Sequence, residues 1–263
     1  MGILNVTPDS FSDGGVFFAR DAALGRAREM HRAGATIIDV GGESTRPGAA
    51  PVELQQELDR VIPVIEALRG ELPAVISVDT SKPEVMREAV RAGAGMINDV
   101  YALRRPGALE AAAAAGVPVC LMHMQGEPRT MQQRPCYRNV VEEVGRFLRE
   151  RIESCRAAGI APGQLLIDPG FGFGKSLQHN LQLLQGLPRL ADMGYPVLVG
   201  LSRKSMLGAL LGERPVDGRL YGGLAAATLA VWLGASIVRV HDVGPVVDAL
   251  KITAALQQVQ PAE

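Results

Sequence analysis

The chain has 263 residues, of which 27 are basic and 28 acidic, and 47% of its residues are hydrophobic. The balanced charge excludes both the basic surface of a nucleic-acid-binding protein and an acidic solvating tail. No apolar run reaches the roughly 18 residues that cross a bilayer, and three cysteines without paired metal spacing, in a chain without a signal peptide, favour the cytoplasm.

Short apolar runs alternate with longer amphipathic segments along the whole chain. The runs predict strands at residues 2–6, 36–40, 75–79, 96–99, 118–122, 165–168, 197–201 and 237–240. The longer segments predict helices at residues 21–33, 51–68, 82–92, 107–115, 140–158, 176–193, 220–233 and 243–259. Eight βα units without a linker predict one α/β domain over residues 1–263, a (β/α)8 TIM barrel. A doubly wound open sheet is the alternative fold, but it needs a phosphate fingerprint at its switch point, which the sequence lacks.

The stretch DPGFGFGK at residues 168–175 follows the sixth predicted strand and looks like a phosphate-binding loop. Its spacing does not match one. Pro169, which has no N–H, stands where a Walker A motif needs its first glycine, and the glycines read GxGxG rather than GxGxxG. The glycines are therefore expected to form a tight turn, with a ligand role left open, and Lys175 is expected to belong to the loop or helix start.

Almost every predicted strand ends in polar residues, and the strand-to-helix connections that follow are long. In a barrel these strand ends meet at one mouth, where active sites of this fold are built. Alternation along a strand separates the polar residues from apolar neighbours that pack outward. A lone aspartate at a strand end is typical of a helix cap or turn, but caps and turns do not explain polar residues at nearly all eight strand ends. These residues are Asn5, Asp39, Asp79, Asn98, Asp99, His123, Asp168, Lys204, Arg239 and His241.

These residues divide into two groups with different chemistry. One group suits a flat heterocycle with a guanidine-like edge, because a carboxylate accepts two parallel N–H bonds; it contains Asp79, Asn98, Asp168 and Lys204. The other group suits a phosphate that carries a divalent metal; it contains Asn5, Arg46, Arg239 and His241.

Two other chemistries are not favoured. No three residues have the spacing of a zinc enzyme. Lys204 is the candidate for a Schiff base, but Ser202, Arg203 and Ser205 predict a polar setting without the desolvation that lowers a lysine pKa.

Eight stretches carry these strand ends and their neighbours: MGILNVTPDSFSDGG at 1–15, DVGGESTRPG at 39–48, SVDTSKP at 77–83, IND at 97–99, LMHM at 121–124, DPGFGFGK at 168–175, SRKS at 202–205 and RVHD at 239–242. Together and in this order they resemble the bacterial dihydropteroate synthases. The resemblance implies a transferase of folate biosynthesis and a target of sulfonamides. Such an enzyme joins 6-hydroxymethyl-7,8-dihydropterin diphosphate to 4-aminobenzoate and releases pyrophosphate, with Mg2+ as cofactor. The resemblance also implies a homodimer, and the apolar runs and balanced charge predict no membrane or nucleic-acid partner.

The resemblance implies a role for each matching residue. The pterin would be held by Asp79, Asn98, Asp168 and Lys204, with Met122, Phe173 and Gly200 around it and Arg239 on its face. The diphosphate would bind Asn5, Arg46, Arg239 and His241, with Mg2+ contacting Asn5. The aminobenzoate site would be lined by Phe11, Thr45, Pro47 and Ser205. The residues expected to act in catalysis are Asp79, Lys204, Arg239 and His241, while Asp9 and Asp13 are expected to order the first loop.

Two alternatives share the pterin-holding pattern. A methyltetrahydrofolate-dependent methyltransferase would not need the Thr45–Arg46–Pro47 loop or the Arg239 and His241 pair, and both are present. A non-catalytic paralogue would have lost one of these residues. One departure from the family is the missing leader before the first strand; we expect either a barrel bottom closed in another way or a natural protein that starts earlier.

Overall fold

The computed structural model of the protein describes residues 1–7, 15–44 and 48–259, and its side chains from residue 20 onward within the first helix. The strands are β1 Gly2–Asn5, β2 Ile37–Gly41, β3 Val75–Asp79, β4 Met96–Asp99, β5 Val119–Met122, β6 Leu165–Asp168, β7 Leu198–Val199 and β8 Ile237–Val238. The helices are α1 Gly15–Arg32, α2 Leu54–Glu71, α3 Pro83–Ala92, α4 Ala108–Ala115, α5 Val140–Ala157, α6 Leu177–Gln185, α7 Leu187–Ala191, α8 Ser205–Leu210, α9 Leu220–Trp232 and α10 Val243–Gln258.

The strands close into a parallel barrel. Strands β1 to β6 pair in sequence order, and β7 pairs with β8. Bridges from Ile167 to Val197 and from Gly2 to Val240 join these two sheets at both seams, and the amide of Ile3 donates to the carbonyl of Val240 at 2.9 Å. The predicted TIM barrel is therefore confirmed, and the open sheet is excluded.

Because side chains alternate along each strand, they pack in two places: between the barrel and its helices, and inside the barrel. Outward residues such as Ile38, Ile97 and Ile167 are fully buried in the layer between the barrel and its helices. A second apolar cluster contains residues of opposite parity in the strands, which places it inside the lower barrel; its members are Met1, Met96, Cys120, Leu166, Leu198 and Ile237. This apolar plug fills the bottom, so polar inward positions remain only towards the mouth.

The helix predicted at 176–193 is wrong in one respect, because the structure breaks it at Gly186 into α6 and α7. Pro188 lies in the first turn of α7, where its missing N–H is tolerated although it could not continue α6. Any Cβ at Gly186 would meet Val141 of α5 at 2.6 Å, so the glycine also permits close packing of the two helices. The short helix α8 was not predicted, and β7 and β8 are shorter than expected.

Other predicted helix ends agree with the structure. Gly34, Gly93, Gly159 and Gly234 follow helices with φ values of 101°, 115°, 92° and 105°, the left-handed conformation that ends helices at glycine. Among the described residues, no helix has the length and apolar character to span a membrane.

Candidate active site

The barrel brings the predicted polar strand ends together at its mouth. Asp79, Asn98, Met122 and Asp168 are the last or next-to-last residues of β3 to β6, and all four are buried. The register pairs Asp79 with Asn98, and Met122 with Asp168. Their inward direction follows from the same alternation that places the apolar plug below them.

A half-buried guanidinium connects three strands of this mouth. Arg239, which follows β8, donates from Nε to Asp39 Oδ2 at 2.6 Å and from Nη2 to Asp79 Oδ2 at 2.7 Å. The Nδ2 atom of Asn98 donates to the same Asp39 oxygen at 3.0 Å. Asp39 is 0% exposed, so its charge depends on these donors. We call Arg239, Asp39, Asp79 and Asn98 the arginine cluster.

Burial and charge act in opposite directions within the arginine cluster. Burial raises the pKa of Asp79 to about 7, although Arg239 opposes this shift. Burial disfavours the charge of Arg239, but Asp39 and Asp79 together raise its pKa, so the guanidinium remains cationic. The Asp39 Oδ1 and Ser77 Oγ atoms are buried and have no hydrogen-bond partner within the described part of the chain.

Asp168 and Lys204 form the second charged element of the mouth. The Oδ1 atom of Asp168 accepts a hydrogen bond from the Gly170 amide at 2.7 Å, and burial raises the pKa of this carboxyl while Gly170 and Lys204 oppose the shift. The ammonium of Lys204 lies 4.2 Å from the centre of the Phe173 ring. Burial lowers the pKa of Lys204 to about 8, partly offset by Asp168. The expectation of an unperturbed polar setting for Lys204 is therefore wrong, because the desolvating ring comes from another loop.

An apolar wall completes the site. Met122 and Phe173 belong to a buried cluster with Val100, Met124 and Met131. A Cβ placed on Gly200 would meet no atom within 4 Å, so the chain opposite this wall leaves space. Apolar and aromatic side chains beside a few convergent polar groups are typical of a site for a flat ring.

The predicted anion-binding residues are only partly described. Asn5 ends β1, and His241 Nδ1 lies 3.1 Å from Ser202 Oγ. Arg203 donates twice to Asp242, at 2.7 and 3.1 Å, and so holds the loop after β7 against the segment after β8. Ser205 is the first residue of α8. The predicted residues Asp9, Phe11, Asp13, Thr45, Arg46 and Pro47 lie outside the described residues.

The prediction of two separate groups differs from the structure. Arg239 was assigned to the phosphate-binding group, but it donates to Asp79, which belongs to the heterocycle-binding group. Two residues that contact this site were also missed. Asp39 stands in the strand-end pattern but was assigned to neither group, although its parity matches that of the other inward positions. Arg219 donates to the carbonyls of Arg203 and Lys204 at 3.0 and 3.4 Å; no sequence pattern indicated this support.

An ion-pair network lies beside the arginine cluster. Lys82 Nζ contacts both Glu43 and Glu57, and Thr80 donates to Glu57 at 2.5 Å. Burial opposes the charge of Lys82, but the two glutamates raise its pKa. A cavity of about 240 Å³, lined in part by Glu57 and Asp79, opens between the loops after β2, β3 and β4. The network therefore fixes the segment after Asp79 to α2 at the edge of this cavity.

The loop after β6 contains a buried lysine and contacts a buried histidine. Lys175 is 3% and His123 is 6% exposed, and Lys175 Nζ lies 3.0 Å from His123 Nδ1. Burial and, to a smaller extent, the nearby amine of Lys175 lower the pKa of His123 to about 2. Burial also lowers the pKa of Lys175 to about 7. His123 is therefore neutral at physiological pH, with a ring nitrogen that can accept from Lys175.

Comparisons with known proteins agree on one family. The family described as pterin binding enzyme matches residues 1–241. The dihydropteroate synthase of Haemophilus influenzae is 57% identical over 255 residues, which cover 97% of this chain and 92% of that protein. The structure of the Yersinia pestis dihydropteroate synthase with a sulfonamide drug has a TM-score of 0.94 at 56% identity, covering 98% of this chain and 94% of that chain. The structure of the Xanthomonas albilineans enzyme with 4-aminobenzoic acid has a TM-score of 0.93 at 55% identity, covering 99% and 93%.

The neutral state of His123 predicts a specific acid sensitivity. Its folded-state pKa of about 2 lies below the ordinary value of 6.5, so its contribution to stability is complete above pH 6.5 and is lost as the pH falls towards 2. The loss approaches about 1.4 kcal/mol per pH unit. His123→Asn keeps an acceptor for Lys175 but cannot titrate. In urea unfolding at pH 7.5, 6.5 and 5.5, this variant should lose less free energy of unfolding than the wild type; equal slopes would contradict the assignment.

Proposed function

The chain belongs to the dihydropteroate synthase family of pterin-binding enzymes, and on that premise we propose how its barrel mouth carries out the reaction. The reaction condenses 6-hydroxymethyl-7,8-dihydropterin diphosphate with 4-aminobenzoate to give 7,8-dihydropteroate and pyrophosphate. The observation that supports the assignment of the site is the arginine cluster beside Asp168 and Lys204. It puts paired acceptors, donors and a permanent cation within one mouth, in a barrel that we treat as a single domain over residues 1–263.

The pterin ring needs both kinds of hydrogen-bonding group. Its amino-pyrimidine edge presents parallel N–H donors, which suit the carboxylates of Asp79 and Asp168. The ring carbonyl and nitrogens accept bonds, which suit the amide of Asn98 and the ammonium of Lys204. Phe173 and Met122 contact the ring faces in this arrangement, and Gly200 leaves room for the ring. A ligand without these polar atoms would leave buried charges unpaired, so the site rejects it.

The leaving diphosphate is the group that gains negative charge in the reaction. Arg239 keeps its positive charge because two carboxylates raise its pKa, and we assign it to this oxyanion together with His241, Arg46 and Asn5. Cleavage of the carbon–oxygen bond runs ahead of amine attack, and the electron-rich pterin stabilises the cationic methylene carbon. The aminobenzoate amine then attacks from the site formed by Phe11, Thr45, Pro47 and Ser205. No side-chain nucleophile takes part.

The oxygen atoms near Asn5 fit the Mg2+ of this proposal. A Cβ on Gly41 would lie 3.7 Å from Asp79 Oδ2 and 3.8 Å from Asn5 Oδ1, so two side-chain oxygen atoms lie close to this glycine. Among the described residues, no three or more His, Cys, Asp or Glu side chains are grouped so that they could hold a metal ion. Mg2+ commonly keeps waters and substrate phosphates as its other ligands, so Asn5 would hold it together with the diphosphate. When bound, the ion neutralises charge on the leaving group.

The cysteines support a cytoplasmic location. Cys120, Cys136 and Cys155 are all free thiols. Burial raises the pKa of Cys155 to about 11, and it also raises that of Cys120. Thiols without disulfide partners are typical of a reducing compartment.

The reaction is tested by the dependence of pyrophosphate release on both substrates. The wild type should release pyrophosphate from the dihydropterin diphosphate when 4-aminobenzoate and Mg2+ are present. Asp168→Ala should raise the KM for the pterin substrate by at least about tenfold and leave the KM for aminobenzoate within about twofold, because only the pterin contacts this carboxylate. Asp59→Ala, on the exposed face of α2, is the control. Folded wild-type protein that releases no pyrophosphate would overturn the assignment.

We propose that the homodimer forms through an apolar face on α9 and α10. Leu229 and Trp232 of α9 are 52% and 57% exposed, and Ile252 and Leu256 of α10 are 66% and 58% exposed. The sequence of α9 contains no charged residue, whereas a surface helix usually carries a polar outer face. A cleft between α6 and α9, lined by leucines and glutamines, continues this face. A twofold axis would let the same patch cover itself in a second copy.

The dimer can be followed through Trp232, the sole tryptophan of the chain. Light scattering after size exclusion should give the mass of two chains, and the tryptophan emission should shift to longer wavelength on dilution as the ring becomes exposed. Leu229→Glu should give a monomer, because it places a charge in the apolar contact. Leu210→Glu, on α8 and 51% exposed, is the matched control and should remain dimeric. A wild-type monomer at micromolar concentration would contradict the interface.

A further inference from the structure

Lys175 carries a buried amine that the proposed reaction does not use. The chain has four lysines among its 27 basic residues. Lys251 is exposed, with 70% of its side chain accessible, whereas Lys175 is 3% exposed. An amine in an enclosed position is strongly disfavoured unless polar atoms surround it. Its surroundings therefore need an explanation that a helix start does not provide.

Backbone carbonyls of two strand ends converge on the Lys175 amine. Nζ donates to the carbonyls of Gly170 at 2.8 Å, Phe173 at 3.0 Å and His123 at 3.4 Å. Three of the residues around it, Gly170, Gly172 and Gly174, have φ values of 70°, 78° and 61°. This left-handed backbone is accessible to glycine without strain, and it lets the loop fold around its own lysine.

Close contacts with the neighbouring backbone restrict the conformation of the loop after β6. A Cβ on Gly170 would overlap the carbonyl oxygen of His123, and a Cβ on Gly174 would overlap that of Gln125. The loop after β6 therefore packs directly on the loop after β5. Without a donor at the Lys175 position, the buried carbonyl of Phe173 would lose its bond to Nζ, and that of Gly170 would keep only the bond from the Phe173 amide at 3.1 Å.

Each of these two carbonyls belongs to a residue that fixes a substrate-binding side chain. The Gly170 amide donates to Asp168 Oδ1 at 2.7 Å and so sets the direction of that carboxylate. The Phe173 ring lies 4.2 Å from the Lys204 ammonium. A displacement of this backbone would therefore move both an acceptor and a donor of the pterin site, without any contact between Lys175 and the substrate.

We propose that Lys175 is a positioning residue for pterin recognition: its amine holds the backbone of Gly170 and Phe173 so that Asp168 and Lys204 meet the ring. This inference rests on the proposed function of the site. It assigns Lys175 an effect on the pterin and not on aminobenzoate, because the loop after β6 supplies residues to the pterin site alone. Lysine suits this position better than arginine, since a compact amine can bond three converging carbonyls while a planar fork cannot.

The test is a double-mutant cycle read through pterin binding. Lys175→Met keeps the length of the side chain and removes its donors, and Lys251→Met is the matched control. The dissociation constant of pterin-6-carboxylate, measured by fluorescence, should rise by at least about tenfold in Lys175→Met and stay within about twofold in the control. In an Asp168→Asn background, Lys175→Met should raise this dissociation constant much less, because the carboxylate through which Lys175 acts is already absent. Hydrogen exchange of the amides of residues 170–174 should accelerate.

The outcomes separate positioning from general stability. Unchanged pterin affinity in folded Lys175→Met, or effects of Lys175→Met and Asp168→Asn that simply add, would overturn the proposal. Lys175→Gln retains two donors on a shorter chain and supplies the same cycle if the methionine variant does not fold. All arms measure binding and not turnover. Wild-type protein that binds pterin-6-carboxylate but releases no pyrophosphate would therefore contradict the proposed reaction and leave the role of Lys175 standing.

Discussion

One half-buried guanidinium organises the mouth of this barrel. Arg239 bonds Asp39 on β2 and Asp79 on β3, and Asn98 on β4 shares the Asp39 oxygen. Removing charges from water costs several kcal/mol each, so such a cluster is stable only while every partner is in place. Four strands are thereby held in one relative position at the point where the polar groups must meet a substrate. The same requirement makes the cluster rigid before any ligand arrives.

The barrel supplies this arrangement through two layers with opposite chemistry. The lower interior is filled by apolar side chains such as Met96 and Leu166. The upper interior carries carboxylates and cations in a nearly balanced set. Burial lowers the pKa of Lys204, and Asp168 opposes this shift. A rigid frame with balanced charges is suited to a substrate that brings its own diphosphate.

Much of the fold and part of the site could be predicted from the sequence. The alternation of eight apolar runs with helical segments was sufficient for the barrel, and the residue at each strand end identified Asp79, Asn98 and Asp168. Partners could not be predicted, because Arg239 and Asp39 lie 200 residues apart and no local pattern joins them. The setting of Lys204 depends on Phe173 from another loop. The burial of Lys175 depends on backbone carbonyls, and a sequence does not show which carbonyls will face a given side chain.

The most direct test of this account is the coupling between Arg239 and Asp39. Arg239→Met, Asp39→Asn and the double variant should be unfolded in urea at pH 7.5 beside the wild type. Arg239→Met leaves the buried Asp39 without its cationic partner, and Asp39→Asn removes one of the two carboxylates that Arg239 contacts, whereas the double change removes both members of the pair. We expect the double variant to be more stable than the sum of the single effects predicts, by at least about 1 kcal/mol. Additive effects would show that the arginine cluster does not hold the mouth together.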